Sequence, residues 1–458
     1  MREKQKKSRG QVAENKAQRI PAPAKEIKRT TIWRRVACIV TAVAIAAVSF
    51  SIGLCVSWFS IDAEMRTLIE IKKKINKEYY EEISDEAFYD ALFGVVNEKL
   101  LDDYSGYMTS EELAKLTSDL DGERAGLGVV LSSRTADGKD QMLITRVCAN
   151  SPAEAAGIKA GCYIVGFGAS EGEIIRSESY DTFSDFLEDY EAGEKFFLCL
   201  QENGTEKILQ ISREEYVENY VIYRTNGKAY SFTTGISCQP IETQNALACL
   251  DDGTAYIRIV QFTGNATQAF VRAMRIFKEE GKTNLVLDLR GNGGGYLTTM
   301  QAIASYFCKS ATAAKPVVAI ADYGEKTEKF SANRNVYYDF FTDESRIVVL
   351  ADGDSASASE CLLGAMLDYG AIGYEDICLT ENEKGEAKTF GKGIMQSTYL
   401  VNVVKRDAIK LTTAKILWPV SKNCIHGRGI LSADGTKTVA RDYMGDNELI
   451  AALEKLLG

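Results

Sequence analysis

At 458 residues, with 45% hydrophobic and 26% charged side chains, the chain is long enough for two or three domains and a sizeable buried core. The net charge of −10 is uneven: residues 1–35 carry 12 Lys/Arg against 3 Asp/Glu, so the rest is strongly acidic, which argues against nucleic acid as a partner. A single histidine, His426, excludes a multi-histidine metal site, and the eleven cysteines show neither CxxC spacing nor a short disulfide framework, so most read as small buried apolar residues.

The basic run ends at Arg34 and Arg35, and no residue from Val36 to Ile61 is charged, a stretch long enough to cross a bilayer as a helix. Both its basic and its apolar parts exceed what a cleaved secretory signal needs, so it reads as an uncleaved anchor over residues 36–61. The positive-inside rule then leaves residues 1–35 in the cytoplasm and the remainder outside it, as a single-pass plasma-membrane protein. Beyond the span, Leu68, Ile71 and Ile75 recur at helical spacing, and Phe88, Ala91, Leu92, Val95 and Val96 share one face of a second helix. Residues 62–112 therefore read as a helical stalk or dimerisation region, or equally as a helical cap on the next domain.

From 113 to 215 short strands alternate with turns. "GLGVVLSS", "QMLITRVC" and "CYIVGF" predict strands, "SPAEAAG" a short helix opened by Pro152, and "SYDTFSDFLEDY" an amphipathic helix. "KFFLCLQ" and "EKILQIS" are joined through Asn203-Gly204, a strong hairpin signal. This order resembles a PDZ domain. Gly126, Leu127, Gly128 and Val129 are similar to that family's carboxylate-binding loop, and "NSPAEAAGIKAGCYIVGFG" to its central segment, with Cys162 where bacterial members usually have Asp. The resemblance implies that main-chain N–H groups around Leu127 and Gly128 capture a peptide's terminal carboxylate while the peptide adds as a strand.

Residues 216–458 alternate strands and helices as an α/β domain does. "AYIRIVQF" is a strand and "TQAFVRAMRIFKEEG" a helix burying Phe270, Ala273, Met274 and Phe277 and stopping at Gly281. The buried strand "NLVLDLR" runs into "GNGGG" and a further helix. The bunched glycines and the missing P-loop lysine exclude the nucleotide fingerprints. A tight strand-to-helix turn is the plainest reading of this loop, and main-chain N–H groups offered to a developing oxyanion are the chemical one.

The stretch "ADGDSASASE" repeats that arrangement after the strand "RIVVL", placing Ser357 at a helix start, where a serine is usually an N-cap. A serine nucleophile needs a base. His426 has no carboxylate at a recognisable spacing, whereas Lys392, between two glycines in "TFGKGIMQ", is poised for the burial that lowers a lysine's pKa, with Gln396 able to hold its amine.

"LLDDYSGYMTSEEL", "LVLDLRGNGGGYL", "GDSASASE", "TFGKGIMQ" and "IKLTTAKILWPVSKNCIHGRGI", together with the PDZ-like segment, occur in the order seen in the carboxy-terminal processing (tail-specific) serine peptidases, which the chain resembles over nearly everything after the anchor. The resemblance implies Ser357 as nucleophile, Lys392 as general base, Gln396 as its orienting partner, and an oxyanion hole from the N–H groups of Gly294 or Gly295 and of Ala358. It also implies no cofactor or metal, protein substrates recognised through their C-termini, recruitment and gating by the PDZ-like domain, and a homodimer. Gly293 stands where many members have proline. The 35 positions from Ser357 to Lys392 exceed the family norm, and the excess reads as a charged surface insertion, "YEDICLTENEKGEAK". The expected architecture is therefore α/β and α+β multidomain: basic tail 1–35, transmembrane helix 36–61, helical segment 62–112, PDZ-like β-rich domain 113–215 and α/β serine peptidase core 216–458. The alternatives are an anchored PDZ-type binding protein without catalysis and a hydrolase of esters or cell-wall material.

Overall fold

The computed structural model describes residues 26–121, 123–136, 139–148, 150–176, 179–225, 228–234, 237–241, 250–382, 384–442 and 447–457. The basic tail before residue 26 lies outside them. The chain divides into two compact units, residues 1–92 and 93–458.

In the first unit the helix Glu26–Ser60 contains Trp33–Ile52, a stretch long and apolar enough to cross a membrane, none of it buried. Asp62 caps the next helix, Ala63–Glu78, its Oδ1 accepting the Met65 N–H at 2.7 Å. No residue of that helix is buried, and the Ile71 expected on its apolar face is 48% exposed. Lys72 pairs with Asp85 at 2.8 Å and lies 4.0 Å from the centre of the Tyr89 ring.

The second unit contains three large sheets. An antiparallel sheet holds, in spatial order, Val129–Ala136, Lys139–Val147, Tyr163–Gly168, Lys195–Glu202 and Thr205–Ser212, with Ile175–Arg176 beside the third. Asn203 and Gly204 both take positive φ (50° and 77°), as a two-residue hairpin whose twist matches its strands requires. Ser151 caps Pro152–Ala155 by accepting the Glu154 N–H at 3.2 Å. Met142, Ile144, Ile164, Phe167, Phe183 and Phe196 form the core of this region, and burial there raises the Cys162 thiol. A ribbon of Glu123–Gly126 against Glu214–Val217 brings the two ends of the region together.

The central sheet has eight strands: Ser237–Ile241, Lys228–Thr234, Val221–Thr225, Thr254–Ile259, Asn284–Asp288, Ile347–Ala351, Ile377–Thr380 and Lys437–Val439, the last five parallel. Alternate residues of one strand serve opposite layers, as the pleat dictates. Leu285 and Leu287 pack with Phe270, Met274 and Leu362 on one side, while Val286 packs with Leu449 and Leu453 on the other. Strands buried on both faces read as continuous apolar runs, which is why "NLVLDL" and "RIVVL" were legible. The segment read as a surface insertion is only partly one, because Ile377–Thr380 is a fully buried strand of this sheet.

A smaller sheet is built on the long strand Asp407–Leu417. It pairs with Gly106–Met108 and Val317–Asp322, and with Ile394–Asn402 as a hairpin; Thr327–Ser331 extends it beyond Val317–Asp322.

Candidate active site

Two strand-to-helix turns stand side by side at the ends of neighbouring central strands. The first follows Asn284–Asp288. The fully buried Asp288 carboxylate accepts the Tyr256 hydroxyl at 2.6 Å, the Arg290 main-chain N–H at 2.9 Å and the Arg290 guanidinium at 2.6 Å. Burial opposes its charge, yet Arg290 and Arg258 hold the carboxyl below the usual range. The loop that follows is pinned at each step: Gly291 N–H donates to Asp352 Oδ1 at 2.9 Å, Asn292 Nδ2 to the Ile259 carbonyl at 2.8 Å, and Gly294 N–H to Asn292 Oδ1 at 2.9 Å. Gly294 has φ +104°, and a Cβ there would lie 2.8 Å from the Ser357 Cβ and 3.0 Å from the Ala358 nitrogen, so only glycine lets this backbone lie against the serine.

The second turn follows Ile347–Ala351. Its serines separate by what they bond. Ser355, fully buried, accepts the Asp352 N–H at 2.9 Å and donates to the Leu289 carbonyl at 2.8 Å; Ser359, also buried, donates to the Asn292 carbonyl at 2.8 Å. Both tie this turn to the glycine loop. Ser357 does neither: it is half-buried, and although it occupies the N-cap of Ala358–Asp368, its hydroxyl makes no capping hydrogen bond. Its backbone (φ 56°, ψ −109°) is one a non-glycine residue rarely takes, a strain of about 1–3 kcal/mol that persists only where the surroundings impose it.

Glu360 imposes it. This buried carboxylate accepts the Ser357 N–H at 3.0 Å, the Thr389 hydroxyl at 2.6 Å, the Gly391 N–H at 2.8 Å and the Lys392 N–H at 2.9 Å. Burial raises its pKa and the four donors oppose that rise. One side chain thus clamps the backbones of Ser357 and Lys392 together. The Ser-x-x-Glu spacing of a capping box carries this signal in the sequence, and its glutamate half is formed.

Lys392 is half-buried, and burial, then the nearby Lys410, lowers its amine below the usual lysine range against the pull of Asp102. Its flanking glycines meet the loop that carries His426: Gly427 N–H donates to the Gly391 carbonyl at 2.9 Å, and a Cβ on Gly393 would lie 2.6 Å from the His426 nitrogen. The exposed His426 shapes the lysine's loop through its backbone.

The lysine Nζ lies over the Tyr104 ring, 4.7 Å from its centre, and makes no hydrogen bond to Ser357 Oγ. Tyr104 arrives from far upstream, on a segment fixed by its own N–H to Asp102 Oδ1 (3.1 Å), by Thr412 N–H to Ser105 Oγ (2.8 Å) and by the pairing of Gly106–Met108 with the long strand. Gln396 is turned to Thr412, its amide donating to the hydroxyl at 3.4 Å. Of the expected oxyanion donors, Gly294 N–H is engaged by Asn292, whereas among the described residues those of Gly295 and Ala358 have no partner. Glu360, Tyr104 and Asp352 are the residues whose parts in the site sequence reasoning missed.

The loop Gly126–Val129 belongs to the six-stranded region. Leu127 is buried there, with its carbonyl accepting the Ala153 N–H at 2.9 Å; Gly128, at φ +81°, accepts the Cys148 N–H at 2.8 Å, and a Cβ there would fall 2.0 Å from the Ser151 Cβ. The N–H groups of Leu127 and Gly128 enter none of these bonds. Val129 opens the next strand. Arg146, in this sheet, makes an ion pair with the buried Glu218, which directly precedes the central-sheet strands. Among the described residues no cluster of His, Cys, Asp and Glu is arranged to hold a metal ion.

Residues 253–432 match the model of peptidase family S41. The chain is 26% identical over 367 residues to a protein of Staphylococcus saprophyticus named "Probable CtpA-like serine protease", and 27% identical over 371 residues to one of that name from Staphylococcus aureus. Each match covers 80% of this chain and 64% of the relative, so the chain spans about two thirds of their length. Among solved structures, a Bacteroides fragilis protein assigned to the S41 proteases is similar with a TM-score of 0.50 at 18% identity, covering 83% of this chain and 98% of that one. The photosystem II D1 C-terminal processing protease matches with a TM-score of 0.48 at 23% identity over 85% of this chain and 91% of that one. The two strand-to-helix turns thus lie within a peptidase S41 domain, residues 253–432, in a chain similar to CtpA-like serine proteases.

Proposed function

We propose that this chain is a membrane-anchored serine endopeptidase, with its catalytic part outside the cytoplasm, that cuts protein substrates recognised through their C-termini. The observation that carries the reading is the Glu360 clamp, which joins a strained serine with an uncapped hydroxyl to the backbone of a half-buried lysine of lowered pKa. A strained nucleophile at a strand-to-helix turn presents its hydroxyl for attack once a base reaches it.

In the reaction, neutral Lys392 leaves the Tyr104 ring, accepts the Ser357 proton as Oγ attacks the scissile carbonyl, and returns it to the leaving amine; water activated by the same amine then hydrolyses the acyl-enzyme. Cation–π attraction acts on the ammonium and not on the neutral amine, so loss of the proton favours this movement. Gln396, swinging from Thr412, orients the amine. The N–H groups of Gly295 and Ala358 stabilise the oxyanion, joined by Gly294 if Asn292 releases it.

The PDZ-like region supplies recognition: a substrate's terminal carboxylate meets the N–H groups of Leu127 and Gly128. The ion pair of Arg146 with the buried Glu218 then couples its position to the peptidase core. The helical face at Leu68 and Ile71 supports a homodimer. The alternative of a binding protein without catalysis draws on one feature, the absence of a Lys392–Ser357 hydrogen bond. The test is cleavage of casein fused to C-terminal tails of differing sequence: the wild type should cut in a tail-dependent manner, while Ser357→Ala binds the tails and leaves casein whole. Equal inertness of the two proteins would favour the binding reading.

A further inference from the structure

The hairpin Ile394–Asn402 with Asp407–Leu417 ends in an apolar tip. Tyr399, Leu400 and Val401 are 50%, 56% and 56% exposed, Val403 is 81% exposed and Val404 93%. The tip is ordered: Asn402 Oδ1 accepts the N–H groups of Val404 (3.1 Å) and Lys405 (3.0 Å), and Arg406 completes the turn at φ +63°. Asp407 and Ala408 are buried again, so the exposed part of the hairpin runs from Thr398 to Arg406, with only Asn402 half-buried. Isolated exposed apolar residues need no explanation, but a run of them at an ordered extremity marks a contact.

Charge indicates the occupant. The exposed Lys405 and Arg406 lie directly behind Val403 and Val404, in a protein of net charge −10. An apolar tip backed by cations is the composition that enters a bilayer interface and meets anionic headgroups, whereas an acidic surface is repelled by them. The same chain carries an apolar helix long enough to span a membrane. We propose that residues 399–406 are a second membrane contact, a hairpin whose valines enter the interface of an anionic bilayer while Lys405 and Arg406 pair with its headgroups. The inference rests on the anchored reading of the chain. Val403 lies eleven positions beyond Lys392, so at about 3.3 Å per residue the contact would hold the Lys392 loop within about 36 Å of the membrane, where tails of membrane-bound substrates lie.

The test uses the full chain in nanodiscs of phosphatidylcholine with or without about one-third phosphatidylglycerol. A nitroxide is placed by Val404→Cys, or by Lys384→Cys on a water-exposed turn as reference, each in a Cys424→Ser background whose own labelling is subtracted. The expected result, in phosphatidylglycerol discs, is a ratio of oxygen to nickel-chelate accessibility at 404 at least about fivefold above that at 384, lost on adding Lys405→Glu with Arg406→Glu. A label at 404 as open to nickel as that at 384 would overturn the proposal. So would dipolar broadening between labels at 404, which assigns the tip to a second copy, or protection that appears only with added casein, which assigns it to substrate. Co-migration of the unlabelled chain with the discs is read separately: failure there defeats the anchored reading and the contact together, whereas a co-migrating chain with a water-open tip defeats the contact alone.

Discussion

The glycine loop at 291–295 and the serine turn at 352–357 are the same device, a buried strand running through a tight turn, put to opposite uses. In the first, glycines take the positive φ values without strain, and the Asp352 carboxylate and the Ile259 main-chain carbonyl pin a backbone whose value lies in its N–H groups. In the second, a residue that needs its side chain is held in a conformation suited to glycine, and a buried glutamate supplies the restraint. A turn that offers backbone is free of side chains, whereas a turn that offers a hydroxyl is strained and must be clamped.

Breaking the serine turn gives the largest effect. If Ser357 is the nucleophile proposed above, Ser357→Ala should reduce casein hydrolysis at least about 10³-fold, with the thermal midpoint unchanged because the hydroxyl caps nothing. Removing the clamp is next. Glu360→Ala leaves Ser357 N–H, Gly391 N–H, Lys392 N–H and the Thr389 hydroxyl without their acceptor, so unfolding in urea should show a loss of about 3 kcal/mol together with most of the activity. Neighbouring glycines then sharpen the contrast. Gly294→Ala, at φ +104° and against Ser357, should cost about 1–3 kcal/mol and much of kcat. Gly293→Ala, with open space around its would-be Cβ and no positive φ, should change stability by no more than about 0.5 kcal/mol.

The smallest effect concerns the lysine that the clamp presents. In the proposed mechanism its neutral form is the base, so kcat/KM should rise with pH through a value below 10.5 and be lost as pH falls. Tyr104→Leu keeps the apolar cover and removes the ring face that favours the ammonium, so with Asp102 and Lys410 unchanged the acid limb should move down by about half a pH unit. Tyr104→Phe should leave it in place. The same titration can be followed without turnover, by the pH dependence of Lys392 acetylation read by mass spectrometry.

Local patterns carried most of the secondary structure. Continuous apolar runs marked the doubly buried parallel strands, Asn203-Gly204 marked its hairpin, and Ser151-Pro152 marked a helix start, because each depends on neighbours in the chain. Ile377–Thr380 was missed because only three apolar residues, Ile377 to Leu379, lie among charges, too short a run to separate a central strand from a loop.

By itself, then, the sequence determined most of the elements, the apolar helix near the N-terminus, the two glycine-rich or serine-rich turns and Ser357, Lys392 and Gln396 as chemistry worth pairing. Only the tertiary structure decided which serine is left with an unengaged hydroxyl, since Ser355 and Ser359 are occupied by carbonyls about 66 and 67 residues upstream. It alone brought Tyr104 to Lys392, committed Gly294 N–H to Asn292 and made Glu360 the link between two backbones 35 positions apart. Those are long-range pairings fixed by sheet register and burial, and no spacing within a single segment can encode which distant atom a buried donor will meet.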